Sequence, residues 1–359
     1  MLEKNFKRAG ILTLALVIIS LACWEIYLRS SNFPISYDDD AALWSTKRIE
    51  VYQPADSATV FIGSSRIKFD LDIPTWEKIT GDKVIQLSMV GTSPRPFLDD
   101  LANDKKFKGK LIIDVTEGSF FNRNKKRVDK TSLEFVEFYK KWTPAQRFSS
   151  YVDYFVESGF VFLEKNKFSL NALLDDLPVI NRKGVVVRPV FPKGFSMNTA
   201  ERQSFMTKIF LEDTLQQKRQ QKNWILAGSV GGGASKTPGI SGDSLETVFK
   251  EIKSNVDKIK ARGGQVLFVR TPSTSTYREA EEIAYPRKKY WDALLAYTNT
   301  PGIHFEDYPE TAHMKCPEWS HLAPQDAIVY TMNFIKILVE EKGWVFPKKS
   351  VIYNSNQNK

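Results

Sequence analysis

The sequence predicts an α/β protein: a central parallel sheet of about five strands covered by helices on both faces, a largely helical insertion, and one N-terminal transmembrane helix. Three observations predict it. Short β-rich apolar runs that end at glycine alternate with helix-periodic segments, the pattern of strands joined by crossover helices. The alternation lapses between about residues 121 and 240 and then resumes, so that stretch reads as an insertion rather than a second domain. The first thirty residues hold an apolar run too long for a strand.

The N-terminal segment MLEKNFKRAG carries Lys4, Lys7 and Arg8, and the run from Ile11 to Leu28 contains Glu25 as its only charge. Its length is close to the roughly 20 apolar residues that cross a bilayer. The basic flank places the N-terminus in the cytoplasm, and Trp24 and Tyr27 suit the opposite interface. A cleaved signal peptide would need a small-residue site, which the segment after Trp24 does not offer well. A lipoprotein signal would use Cys23 in SLAC, with Ser20 where a leucine is usual. Residues 1–29 therefore read as a cytoplasmic tip and uncleaved anchor in the plasma (inner) membrane, with the body periplasmic or extracellular.

Residues 30–55 read as an irregular polar leader containing Asp38, Asp39 and Asp40, and residues 56–345 as the α/β domain. Thr59–Ile62 is the first strand, ended by Gly63, and Pro74–Ile79 a helix stopped by Gly81. Lys83–Val90 is the second strand, ended by Gly91, and a helix from Pro96 to Asn103 follows. Lys110–Val115 is the third strand. After the insertion, which includes an extended piece near Val185–Val190, Leu245–Ala261 is helical and Gln265–Val269 forms the fourth strand. Ile303–Glu306 is the fifth, and a final helix begins near Pro324 with Ile328, Thr331, Phe334, Ile335 and Leu338 on one face. Residues 346–359 form a basic polar tail.

The chain has 359 residues, a formal net charge of +9 and a pI near 9.2. Such a balance favours contact with anionic lipid or polysaccharide; no zinc-finger spacing or RNA-binding aromatic motif points to nucleic acid. The two cysteines, Cys23 and Cys316, allow no internal disulfide framework. Three histidines without a ligand cluster argue against a metal centre, and no cofactor is expected.

Two stretches invite readings they do not sustain. AGSVGGGASKT, from Ala227 to Thr237, lacks the contiguous Gly-Lys-Ser/Thr of a phosphate loop and has Pro238 behind it, so it reads as a surface loop. The aromatic band from Phe135 to Phe162 reads as the buried face of the insertion, with a membrane-lying surface as the alternative.

The chemistry concentrates at VFIGSSRIKF, Val60–Phe69. A serine at a sharp turn after a buried strand can be held with its hydroxyl free at the carboxyl edge of the sheet. It needs a base and a group that orients the base. Among His304, His313 and His321, His304 sits in a predicted strand. His321 lies in CPEWSHLAPQ just before the last helix, three residues after Glu318. That spacing lets one short turn present a carboxylate and an imidazole together, although Asp307 or Glu310 could also supply the acid. The N–H groups of Ser65 and Gly91 could form the oxyanion site; a glycine there serves equally well as a plain turn residue.

A serine after the first strand, a glycine after the second and a carboxylate-x-x-histidine before the last helix resemble the SGNH (GDSL-type) hydrolase superfamily. The resemblance covers roughly residues 56–120 and 243–342 and implies a flavodoxin-like α/β/α fold. It implies Ser65 as nucleophile, Ser64 where an aspartate usually stands, Gly91 as oxyanion glycine, and Glu318 in place of the usual aspartate beside His321. The third block departs: IIDVTEGSFF offers Thr116, Glu117 and Gly118 where an asparagine donor is usual.

With its anchor and insertion the chain is similar to the membrane-attached branch, whose members assist O-acylation of envelope polysaccharides, often beside a membrane-bound O-acyltransferase. That implies acyl transfer or ester hydrolysis through an acyl-serine, with an acyl donor and an envelope polysaccharide as partners. Arg270, in the rim stretch VRTPSTSTYREAEE, is expected to contact substrate, with a salt bridge as the competing reading; Ser64 and Arg66 are further candidate contacts. The competing function is an inactive SGNH-like module serving as a binding or assembly partner, motivated by Glu117 and the missing asparagine.

Overall fold

The computed structural model describes residues 2–54, 56–122, 125–175, 177, 190–228 and 233–348. The chain opens with α1 (Leu2–Ser30), which is exposed along most of its apolar length and is long and apolar enough to cross a membrane.

The stretch expected as an irregular leader instead forms α2 (Ala41–Ile49). Asp40 caps it by accepting hydrogen bonds from the N–H groups of Ala42 and Leu43 at 3.0 and 2.9 Å. The helix buries Trp44 in the main core, so residues 41–49 belong to the domain. The acidic run had disguised a capping residue as solvent-facing polarity.

The α/β body begins with β1 (Ala58–Ile62), α3 (Ser65–Asp70), α4 (Ile73–Thr80) and β2 (Lys83–Gln86). Helix α4 starts at the Asp72 cap with proline in its first turn and stops at Gly81, whose φ of +68° suits glycine. Then come α5 (Arg95–Asn103), β3 (Lys110–Asp114) and α6 (Glu117–Phe120). The insertion supplies α7 (Lys125–Lys140), α8 (Pro144–Glu157), α9 (Lys165–Phe168) and α10 (Leu170–Asp175). A two-stranded antiparallel ribbon, β4 (Met197–Asn198) with β5 (Ser204–Phe205), and then α11 (Lys208–Glu212) and α12 (Thr214–Gly228) complete it. The expected extended piece at 185–190 lies, but for Val190, outside the described residues.

The sheet resumes with α13 (Asp243–Ala261), β6 (Gln265–Arg270), α14 (Ser275–Ala284), α15 (Ala293–Thr298), β7 (Gly302–His304), α16 (Pro309–Ala312) and α17 (Pro324–Glu340). Five strands pair in parallel in the order β2-β1-β3-β6-β7. Strands β1 and β3 are buried along their whole length and mostly apolar, because both faces are covered. Val60, Ile62, Ile113 and Phe268 face a core shared with α2, α5 and α13, whereas Phe61, Ile112, Leu267 and Val269 face one shared with α3, α4 and α17. The tail begins later than residue 346: Trp344 and Phe346 are buried on the second core, and Lys348 N–H donates to Thr80 O at 2.9 Å.

Candidate active site

The site lies at the carboxyl end of β1. Gly63 follows that strand at a point where no side chain fits: a Cβ there would come within 2.6 Å of Asp114 Cβ and 2.7 Å of Ile67 Cγ2. The backbone therefore passes directly over the end of β3. Ser64 N–H points at Asp114 Oδ2 at 3.5 Å, and Ser65 opens α3 half-exposed. Burial raises Asp114 to about 6, against the pull of Arg66, Thr116 and Arg270.

Ser65 Oγ lies 2.8 Å from His321 Nε2, and His321 Nδ1 lies 2.9 Å from Glu318 Oε1. An ionised carboxylate only accepts. Nδ1 therefore carries the proton toward Glu318, which leaves Nε2 to accept from the Ser65 hydroxyl. Both His321 and Glu318 are buried, and the turn between them is closed on itself. Glu318 Oε1 also accepts from the backbone N–H groups of Ser320 at 3.2 Å and His321 at 2.6 Å. Trp319, between them, sits at φ +81°, a conformation a non-glycine residue adopts only when its surroundings impose it. Thr274 N–H donates to Trp319 O at 2.8 Å and holds that turn against the loop after β6. Leu322 N–H donates to Asp70 Oδ1 at 2.9 Å. Helix α3 and the histidine turn are thus joined at both ends.

Three of the residues around this relay were not legible in the sequence as site residues. Phe69, one turn after Ser65, places its ring 4.4 Å from that of His321. Phe195 and Trp224, from the insertion, approach the same imidazole at 5.7 and 6.0 Å. Trp224 Nε1–H also donates to Glu318 Oε2, so both oxygens of the carboxylate are engaged. The i, i+4 spacing of Ser65 and Phe69 on one helix face was a usable signal. Nothing local marks Trp224, 94 residues from Glu318.

No protein-family model matches the chain, and no curated protein matches it either. The site must therefore be read from its own geometry.

Other expectations are redirected. Arg270 and Arg66, expected to contact substrate, are fully buried and engaged in ion pairs, the competing reading for Arg270. Arg270 Nε bonds Glu117 Oε1 at 2.9 Å and its Nη2 bonds Glu281 Oε2 at 2.5 Å, while Arg66 Nη2 bonds Glu281 Oε1 at 2.5 Å. Burial alone would raise the Glu281 carboxyl, but the two guanidiniums outweigh it and hold it well below the usual carboxylate range. Arg66 Nε also reaches Ser320 Oγ at 3.4 Å and so braces the histidine turn from beneath. Ser64 is buried as well, at the cap position of α3, with its N–H turned to Asp114. The Arg270 pairing disposes of Glu117, whose carboxylate is turned to a guanidinium at the third block. Asn122, the first asparagine after β3, donates to Gly118 O at 2.9 Å.

Gly91 is exposed at φ +69°, with open space where a Cβ would be. The β1–β2 ladder continues past its last paired residues through Leu87 N–H to Phe61 O at 2.8 Å and Met89 N–H to Gly63 O at 3.2 Å. It delivers Gly91 to the same sheet edge as Ser65. His304 is buried and accepts from Glu306 N–H at 3.2 Å. Burial first, and then Arg270, Arg287 and Arg278, hold it neutral by lowering its pKa to about 2. Asp307 is paired with Arg287 at 2.7 Å and Glu310 is exposed, so Glu318 is the acid at His321.

Proposed function

We propose that this chain is a membrane-anchored, SGNH-like serine acyltransferase or esterase that acts outside the cytoplasm on O-acyl groups of envelope polysaccharide. The observation that carries the reading is the continuous relay Glu318–His321–Ser65, with contacts of 2.9 and 2.8 Å. The strand order β2-β1-β3-β6-β7 supports a flavodoxin-like arrangement, because consecutive numbering of the sheet strands gives 2-1-3-4-5. The helix α1 supports a single-pass anchor, and Lys4, Lys7 and Arg8 ahead of its apolar run favour an N-terminus in the cytoplasm.

In this mechanism Ser65 Oγ attacks the acyl carbonyl of a donor as His321 Nε2 takes the hydroxyl proton, and Glu318 stabilises the resulting imidazolium. The oxyanion faces the Ser65 and Gly91 N–H groups. Collapse breaks the carbonyl bond to the leaving group, which takes the proton from His321 and leaves an acyl-serine. A sugar hydroxyl or water then attacks the acyl carbon, gives its proton to His321, and Ser65 recovers that proton as it departs. The acceptor decides between transfer and hydrolysis. A membrane-bound O-acyltransferase supplying the acyl group is the partner that the SGNH resemblance implies.

A second reading, an inactive module that binds or assembles envelope machinery, draws on the third block, where Glu117 stands in the place of an asparagine donor. Loss of one oxyanion donor costs about a hundredfold or more in rate. Fluorophosphonate labelling of the full chain separates the two. The catalytic reading expects labelling that vanishes in Ser65→Ala and His321→Ala, whereas a well-folded wild type that never labels favours the binding module.

A further inference from the structure

The insertion carries an amphipathic helix that is inside out. Along α8 the outward stripe is Phe148, Tyr151, Val152 and Phe155, at i, i+3, i+4 and i+7; Phe148 is 71% exposed and Phe155 77%. The stripe turned to the protein is polar: Ser150 and Glu157 are buried, and Tyr154 at its edge stacks on Tyr37 with ring centroids 5.4 Å apart while staying 47% exposed. A surface helix in water places its apolar stripe on the core. This one presents aromatic rings to the outside, at the spacing of a single helical face. The reading of the whole aromatic band as buried thus holds for Phe135 and Trp142 and not for α8.

The position of that face says what covers it. The last turns of α1 are fastened to the segment just after α8. Val161 and Phe162 N–H groups donate to Glu25 Oε1 and Oε2 at 3.0 and 3.1 Å, and Arg29 Nη2 donates to Gly159 O at 2.9 Å. Leu28 packs with Val161 and Phe168 in a small core that Trp24 and Phe33 join. A helix rises about 1.5 Å per residue and a bilayer core is about 30 Å thick. If Arg8 marks the cytoplasmic surface, the roughly 20 residues that cross such a core bring the helix out of the hydrocarbon near Leu28, the residue that packs on Val161. The far end of α8 is pinned at that exit. Leu170 and Leu174 form a second exposed stripe on α10, nearby in sequence, and Leu170 is 71% exposed.

We infer that α8, with the leucine stripe of α10, lies in the interfacial layer of the membrane that α1 crosses, its aromatic rings among the lipid headgroups and upper acyl chains. Aromatic side chains concentrate at that depth. The inference rests on α1 spanning the bilayer, as proposed above. It adds that the catalytic body is held against the outer leaflet in one orientation rather than swinging on its anchor.

The test places environment-sensitive bimane labels on the full chain, reconstituted in phosphatidylethanolamine–phosphatidylglycerol vesicles. Single cysteines replace Phe148, Phe155, Ile19 or Lys253 in a Cys23→Ser background; Cys316 is buried. Doxyl-labelled lipids quench a bimane that sits in the bilayer. The expected result is quenching and blue-shifted emission at Phe148→Cys and Phe155→Cys as well as at Ile19→Cys, with Lys253→Cys on α13 unaffected. Quenching at Ile19 with the α8 labels as solvent-exposed as Lys253 would overturn the inference and leave the anchor standing, assigning α8 to a protein partner. Loss of quenching at Ile19 would overturn the anchor itself and the inference with it.

Discussion

Replacing Trp224 by phenylalanine removes the indole N–H with its five-membered ring and leaves one aromatic ring where the indole flanks His321, Tyr277 and Phe195 at 6.0, 5.8 and 6.2 Å. The lost group is the donor to Glu318 Oε2, and Glu318 is fully buried, so no bulk water replaces it. A hydrogen bond to a charged group contributes about 1.5–3 kcal/mol. On the catalytic reading proposed above, Glu318 stabilises the imidazolium as the proton moves, and loss of a hydrogen-bond donor loosens the carboxylate that does so. If the whole bond is felt in the transition state, the labelling rate of Ser65 by a fluorophosphonate falls by roughly ten- to a hundredfold. Melting should also fall, by an amount equivalent to about 1–3 kcal/mol, because a buried acceptor has lost its partner. The assay is the second-order labelling rate across pH, beside a thermal melt of the same preparation. A variant that folds and labels within twofold of wild type at every pH would refute the idea that the insertion orders the relay through Trp224.

Three further outcomes follow from the same geometry. Gly63→Ala forces a methyl against Asp114 and Ile67, which should cost about 1–3 kcal/mol of stability and suppress Ser65 labelling; a melt unchanged from wild type would show that the strand end can move aside. Arg270→Met leaves Glu117 without its guanidinium and Glu281 with only Arg66. It should destabilise the fold by about 3–5 kcal/mol at neutral pH, less in acid, whereas a residue that merely contacted substrate would leave the melt untouched. Asp114 is raised from 3.8 to about 6, so above pH 4 the unfolded chain loses this proton before the folded one and stability falls as pH rises through 6. The shift of about 2 units corresponds to about 3 kcal/mol. Asp114→Asn should therefore gain on wild type between pH 4 and pH 7 in chemical denaturation, and a constant difference across that range would contradict the assignment.

The features legible in the sequence were local ones. The strands could be placed because a parallel sheet covered on both faces leaves apolar runs with glycine or polar residues at their ends. The pairing of Glu318 with His321 could be placed because three residues of one turn suffice to bring a carboxylate under an imidazole. The burial and pairing of the arginines were not legible, for the opposite reason. A charged residue at a strand end looks solvent-facing until its partners are known, and those of Arg66 and Arg270 lie 215, 153 and 11 residues away. Helix α2 was missed because three consecutive aspartates look like a solvated run, although the last of them is a cap. Helix α8 was misread because a periodic apolar stripe is assumed to face inward, and its sequence does not say which solvent lies outside.

The insertion links two features that the sequence kept apart. From the same 121–240 stretch it extends Trp224 and Phe195 over the imidazole and α8 beside the base of α1. The relay is set on the sheet side by β1, α3 and the turn before α17, with Arg66 bracing Ser320 from the buried network. Among the described residues, the hydrogen bond to Glu318 Oε2 comes from the insertion, through Trp224 Nε1–H. The consequence separates placement from chemistry. Substitutions on the outward face of α8, such as Phe155→Ser, should alter how the protein meets a membrane-borne acyl donor while leaving the reaction of Ser65 with a soluble fluorophosphonate intact. Trp224→Phe should do the reverse.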